Sequence, residues 1–402
     1  MGIGALFRID LTRSFREFSC STIHFMSIVT WSFPTTIVFG AGAVTKVVDH
    51  VKRVGGTRAL IVCDPGVVKV GIAARVKAIL EDANIVASVF DAVAPNPVEE
   101  NVFAGVEAYR ALGANVIVSV GGGSPLDAGK LIALKTTHER PLVDYDDATG
   151  GDAFITQNVP PIITIPTTAG TGSEVGRSGV VTLKANGRKT VIFSPYLLAK
   201  VAILDPELTV SMPSRVTAAT GFDALTHCLE AYVSLGDHPM ADGIALMGLE
   251  LCAKHLEQAT VHGKDLEARG GMMKAAMMGA VAFQKGLGAC HSLAHPLSSE
   301  KDMHHGLANA LCLPAVVEFN ERVVADKLDR VRSIFDAKAK SCADALRALR
   351  SRIGLPSGLG SEGVSESDVA KLSAKALQDA CHQSNPRPCT EADLAALYRA
   401  SL

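Results

Sequence analysis

Residues 115–134 read NVIVSVGGGSPLDAGKLIAL. A β-branched run, NVIVSV, ends on three glycines at 121–123. Ser124 and Pro125 then open a pattern that suits a helix. Bare glycines let backbone N–H groups approach a pyrophosphate, and a helix N-terminus adds its positive dipole end. The run is not the G-x-G-x-x-G fingerprint, and taken alone it reads equally well as a tight strand-to-helix turn.

Working outward settles the fold class. Upstream lie TTIVFG, RALIVCD ending at Asp64, and IVASVFD, separated by the helical patterns AVTKVVDHVKRVG and VEENVFAGVEAYRALG, with a turn expected at Pro65–Gly66 and a helix from there to about Asp82. Downstream, IITIP at 162–166 runs into the polar, glycine-spaced loop TTAGTGSEV. Strands alternating with helical stretches predict βαβ units and a parallel sheet. Both glycine loops should then emerge at the carboxyl edge of that sheet, where ligands bind. SGVVTLK and KTVIFS predict a hairpin turning at Asn186-Gly187.

After VAILD (201–205) the character changes. Long Ala/Leu/Met-rich periodic stretches replace the β-branched runs, and 214–234, 240–260, 266–284, 307–325, 326–353 and 365–380 all suit helices. The break at 207–213 divides an α/β domain, 26–208, from an all-helical domain, 209–402. Residues 1–25, with three Arg, several Ser and no sustained apolar run, are expected to be a poorly ordered extension preceding a start at Met26.

Composition bounds the function. The 402 residues, 48% hydrophobic and 20% charged, are core-rich and long enough for two domains. A net charge of −2 and few aromatics give no basis for nucleic acid or an anionic membrane as partner. No apolar run reaches the roughly 20 residues of a membrane helix. Nine cysteines, an odd number without C-x-x-C, fit reduced thiols in a cytoplasmic protein.

Several side chains carry candidate chemistry. Asp64 ends a strand where a carboxylate can hold ribose hydroxyls and repel a 2′-phosphate, favouring NAD over NADP. It reads equally as a turn Asp before Pro-Gly. Asp223 and His227 in TAATGFDALTHCLEAY stand one helical turn apart, and His291 and His295 in GLGACHSLAHPL repeat the spacing. Four of the twelve histidines fall within 291–305, and imidazole is both a common metal ligand and a near-neutral proton carrier. Asp223, His227, His291, His295, His304 and His305 are more candidates than one metal needs, and spacing does not choose among them.

The motifs PNP (95–97), GGGSPLDAGK, IPTTAGTGSEV, ATGFDALTHCLEAY, GLGACHSLAHPL and HGLANALCLP occur in that order. From about Ser32 to the end the chain resembles the iron-containing (group III) alcohol dehydrogenases, the group that includes lactaldehyde reductase and 1,3-propanediol dehydrogenase. The resemblance implies a Rossmann-like parallel-sheet domain followed by an all-α domain, the dehydroquinate synthase-like arrangement. It implies Asp223, His227, His291 and His305 as metal ligands and His295 as a proton relay near the nicotinamide. Asp64, Asn96, Gly122, Gly123, Ser124, Thr167, Thr168 and Lys189 would line the NAD cleft. PLSSEK departs from the family's commoner P-L-G-A followed by apolar residues, and His304 replaces a frequent Pro.

The activity implied is metal-dependent, NAD-linked hydride transfer between a small primary alcohol and nicotinamide, run in reverse as aldehyde reduction. The class of substrate includes hydroxy acids such as 4-hydroxybutyrate, and Lys285 is a candidate partner for a semialdehyde carboxylate. The ligand set suits Fe²⁺ or Zn²⁺, and the resemblance favours iron. A homodimer or higher homo-oligomer is expected. The competing reading is a non-redox lyase of the same fold, using NAD and a divalent metal on an acidic substrate.

Overall fold

The β-branched runs become strands, and those buried on both faces lie at the centre of the sheet. The computed structural model describes Phe33 and residues 35–185 and 187–402. The extension expected over 1–25 and Asn186 of the hairpin turn lie outside the described residues. Strands β1 (Thr36–Phe39), β2 (Arg58–Val62), β3 (Val86–Phe90), β4 (Val116–Gly121), β5 (Ile162–Pro166) and β8 (Val201–Leu204) form one sheet in the order β1-β8-β5-β4-β2-β3, with every neighbouring pair parallel. The remaining two, β6 (Ser178–Leu183) and β7 (Arg188–Phe193), make the expected antiparallel hairpin. Every residue of β4, β5 and β8 is buried, as a parallel sheet covered on both faces requires.

The period-two alternation sorts the sheet into two cores. Ala59, Ile61, Val116 and Val118 face helices α1 (Val47–Arg53) and α3 (Ile72–Asp82), with α2 (Pro65–Lys69) between those helices in the chain. Leu60, Val62 and Ile117 face α4 (Glu99–Leu112) and α5 (Gly123–Thr137). Because β3 lies on one side of β2 and β4 on the other, the strand order reverses there. A ligand crevice is expected at such a switch point, bounded by Asp64 after β2 and Gly121–Gly123 after β4.

The turn expected at Pro65–Gly66 is instead the first turn of α2. Asp64 caps it by accepting Val67 N–H at 3.0 Å, and Pro65 sits where its missing N–H costs nothing. Gly71, at φ 81°, then separates α2 from α3.

Beyond Leu204 the chain is helical: α6 (Ser214–Val233), α7 (Pro239–Val261), α8 (Leu266–Ala282), α9 (Ala289–Lys301), α10 (His305–Asp336), α11 (Cys342–Arg352), α12 (Glu366–Gln378) and α13 (Glu391–Ser401). From Thr217 to Val233 every residue of α6 is buried, which makes it the axis around which the others pack. A helix expected over 326–353 is not continuous. Its first part is the second of two helices that meet at the non-helical Val324 (φ −135°, ψ 36°) within α10, close to the break expected after 325, and the chain restarts at α11, where Ser341 Oγ accepts Asp344 N–H at 3.1 Å. The unanticipated α13 begins on a Thr390–Asp393 capping box. The polar end of PLSSEK is tied down by α12: Glu300 pairs with Lys371 and Lys375, and Lys301 with Asp368 at 2.6 Å. No described helix is long and apolar enough to cross a membrane.

Candidate metal centre and cofactor cleft

Helix α6 places Asp223, His227 and Glu230 on one buried face by its 3.6-residue period. His291 comes from the first turn of α9, and His305 opens α10. Their Nε2 atoms surround one carboxylate oxygen. Asp223 Oδ1 lies 4.0 Å from His227 Nε2, 3.9 Å from His291 Nε2 and 3.6 Å from His305 Nε2. These separations exceed a hydrogen bond. Ligands about 2.1 Å from a tetrahedral ion stand about 3.4 Å apart; Asp223, His227 and His291 bring ligand atoms mutually within 4.8 Å, and His305 would have to swing inward to complete the set. The three imidazoles and one carboxylate suit iron or zinc chemically.

The electrostatics agree with that use. Burial alone would push Asp223 up, but the imidazoles of His227, His305 and His291, with the Asn309 amide, bring it down to about 2. Burial lowers His227 to about 4 and takes His305 well below its ordinary value, leaving both rings neutral for coordination. Burial also works against a charged His291. Glu230 overcomes it, because its Oε2 accepts from His291 Nδ1 at 2.6 Å and raises that ring's pKa. The same carboxylate takes Gly288 N–H at 3.1 Å and Cys290 N–H at 2.7 Å at the start of α9. Glu230 therefore fixes the tautomer that leaves His291 Nε2 facing Asp223.

Two residues at this centre carried no role in the sequence reading. Glu230 lies seven positions after Asp223 and Asn309 four after His305, so helical spacing held the signal. Asn309 Nδ2 donates to Asp223 Oδ1 at 2.7 Å and lies within 3.4 Å of both His291 Nε2 and His305 Nε2.

His295 stands apart from the four. Its ring stacks on His305 with centroids 5.2 Å apart, and its Nδ1 lies 2.7 Å from Asp379 Oδ2. Asp379 is held by Ser292 Oγ and Cys381 N–H, at 2.8 and 2.9 Å. Burial would raise Asp379, but His295 and these donors depress it strongly. His304, beside the cluster in sequence, is exposed.

The two glycine loops meet at the sheet's carboxyl edge. Thr167 N–H donates to Gly121 O at 2.9 Å. A Cβ on Gly122 would come 3.3 Å from Thr168 Cγ2, and one on Gly123 2.9 Å from Thr171 Cγ2. The loops are thus in contact, and Gly121, at φ 149°, faces Asp64 Oδ2. Ser124 Oγ donates to Pro95 O at 2.5 Å. Asn96 bridges the two halves: its Oδ1 accepts from Lys189 Nζ at 2.7 Å and its Nδ2 donates to Asp302 Oδ1 at 3.0 Å, just past α9. All eight cofactor candidates line this edge or the bridge across it.

Lys285 is not available to a substrate. Its side chain is 2% exposed, and its ammonium is taken by Asp242 Oδ1 at 2.5 Å and Tyr232 O at 3.0 Å. The expected carboxylate contact fails because α7 supplies a carboxylate of its own.

The chain matches the family model for iron-containing alcohol dehydrogenase over residues 34–206 and that family's C-terminal model over residues 217–402. It belongs to the iron-containing alcohol dehydrogenases. Within this family it is 42% identical over 380 residues to 4-hydroxybutyrate dehydrogenase of Cupriavidus necator, covering 92% of this chain and 98% of that one. Among solved structures, 1,3-propanediol oxidoreductase superposes with a TM-score of 0.89 at 37% identity, covering 94% of this chain and 100% of that one. Sulfoacetaldehyde reductase from Bifidobacterium kashiwanohense in complex with NAD+ gives 0.85 at 31%, covering 93% and 98%. This iron-containing alcohol dehydrogenase is an oxidoreductase of the alcohol–aldehyde class, and these matches give no support to the lyase alternative.

Proposed function

We propose that this alcohol dehydrogenase uses iron and NAD(H) to interconvert a small primary alcohol and its aldehyde. The convergence of Asp223, His227, His291 and His305 on one point carries the reading. We assign these four as ligands and leave His304 without a role. When bound, the metal would supply Lewis acidity toward the substrate oxygen, and the dinucleotide would carry the hydride.

The chain's own groups do the rest. Glu230 orients His291, and Asn309 holds Asp223. His295, backed by Asp379, takes or returns a proton at its ring through hydrogen bonds. Asp64, Asn96, Gly122, Gly123, Ser124, Thr167, Thr168 and Lys189 are assigned to the cofactor. Asp64, negative and close to Gly121, selects NAD over NADP.

The relative from Cupriavidus necator is named for 4-hydroxybutyrate, which supports a hydroxy acid within the substrate class. We also propose the division into 26–208 and 209–402, a homodimer or higher homo-oligomer, and a cytoplasmic setting. For the last, the eight cysteines among the described residues are all free thiols.

The test is metal analysis of purified protein beside NADH oxidation with short aldehydes. Iron near one equivalent with turnover is expected. A metal-replete protein inactive on every short aldehyde would overturn the proposal.

A further inference from the structure

A cavity lies beside Phe283, next to the metal cluster. It measures about 280 Å³ and is walled by Val175, Phe193, Leu198, Ala280, Val281 and Phe283, with polar groups from Arg177, Ser178 and Gln284. Phe283 also faces the centre, its ring centroid 5.1 Å from that of His227. One aromatic side chain thus borders both the metal ligands and this cavity.

Among the described residues of the cavity wall, Arg177 alone is a Lys, Arg, Asp or Glu. It lies just before β6, and its guanidinium sits 5.3 Å from the Phe193 ring centroid. The side chain is partly buried, and burial alone lowers its pKa. Among the described residues its guanidinium meets the Phe193 ring, but no carboxylate lies within 4.0 Å and none of its five N–H groups finds an acceptor. The fully buried cations are all paired: Lys130 meets Asp127 and Ser173, Lys285 meets Asp242, and Arg269 meets Gly263 O and Thr217 Oγ1. A partly desolvated guanidinium without a counter-ion is an anion site, and its planar fork matches a carboxylate.

We infer that Arg177 anchors the carboxylate of a short ω-hydroxy acid or its semialdehyde, whose carbon chain lies along Phe283 with its oxygen at the metal cluster. Ser178, beside it in the chain, offers a further donor, and the apolar walls suit methylene groups. The inference rests on the alcohol dehydrogenase reading above and names its substrate class and the residue that selects it. It also gives Arg177 the role that Lys285 cannot fill.

The experiment compares 4-hydroxybutyrate with butan-1-ol, an uncharged alcohol of the same chain length, for the metal-loaded wild type, Arg177→Ala and Arg177→Lys. Loss of a charge-assisted pair is worth about 10- to 100-fold. The alanine variant is expected to lose that much kcat/KM on 4-hydroxybutyrate, chiefly through KM, and to stay within about twofold on butan-1-ol. Lysine should restore part of the loss. Equal losses on both substrates, or none on the acid, would overturn the inference. Should the wild type oxidise neither alcohol, calorimetric titration with butyrate decides: binding that vanishes in Arg177→Ala sustains the anion site while the dehydrogenase reading falls, and unchanged or absent binding removes it.

Discussion

Glu230 Oε2 stands 2.6 Å from His291 Nδ1 while the same carboxylate accepts Gly288 and Cys290 N–H. One buried carboxylate on α6 thus aims a ligand and docks the helix that carries it. Glu230→Gln removes the charge and one acceptor. Outer groups of this kind are worth about 10- to 100-fold in metal affinity. Equilibrium dialysis against Fe²⁺ or Zn²⁺ should show a loss in that range; unchanged affinity would mean His291 orients itself.

The four assigned ligands and His295 should separate on substitution. Alanine at Asp223, His227, His291 or His305 is expected to release the metal, read as metal content after gel filtration. His295→Ala should retain it and lower kcat by about 10²–10⁴-fold, the range for a general acid–base group. Metal lost from His295→Ala would place that ring among the ligands instead.

Proton competition should be carried mainly by one ring. Glu230 raises the pKa of His291, whereas burial puts His227 at about 4 and His305 well below the usual value. The metal-free protein then binds a proton at His291 that the metal-bound form has released, so affinity rises with pH. Above the His227 value of about 4 and below the ordinary imidazole value of about 6.5, log Kd should fall with pH at a slope of about one proton per ion. A slope near three would show all the histidines titrating together. Glu230→Gln should move the window to lower pH.

Cofactor choice tests Asp64 without disturbing its cap. Asp64→Asn keeps an oxygen for Val67 N–H but removes the negative charge at the crevice. The ratio of kcat/KM for NADH over NADPH should fall at least tenfold with little change in melting temperature. Asp64→Ala should lose the cap as well, at about 1 kcal/mol. A ratio unmoved by Asn would return Asp64 to a purely structural cap.

Packing of α5 on the sheet depends on Gly129. A Cβ there would fall 1.9 Å from Ser119 Oγ and 3.1 Å from its Cβ, so Gly129→Ala forces the Ser119 hydroxyl to another rotamer and crowds α5 against β4. A destabilisation of about 1–3 kcal/mol is expected by denaturant titration. NADH affinity should weaken with it, since Gly122 and Gly123 open the same helix.

Much of the fold was legible because hydrophobic periodicity is local. The β-branched runs ending on glycine or aspartate gave the parallel strands, and the Ala/Leu/Met periodicity gave most of the helices. The reading failed where one residue's capping or backbone angle decided the outcome. Pro65 sat inside α2, and Ser341 started a new helix. Neither of these alters a hydrophobic pattern, so periodicity does not register them.

At the site, the sequence by itself determined which residue types were available and, through i, i+4 spacing on α6, that Asp223 and His227 share a face. The motif order pointed to the family and, through it, to a ligand set. Only the tertiary structure decided what stands between α6, α9 and α10. It put Glu230 behind His291, Asn309 against Asp223 and Asp379 behind His295, partners up to 86 positions apart. It also decided between two cations that the sequence leaves alike. Lys285 is neutralised by a carboxylate from α7, and Arg177 faces a cavity without one. Charge is written in the chain, but its availability depends on the neighbours that packing brings into reach.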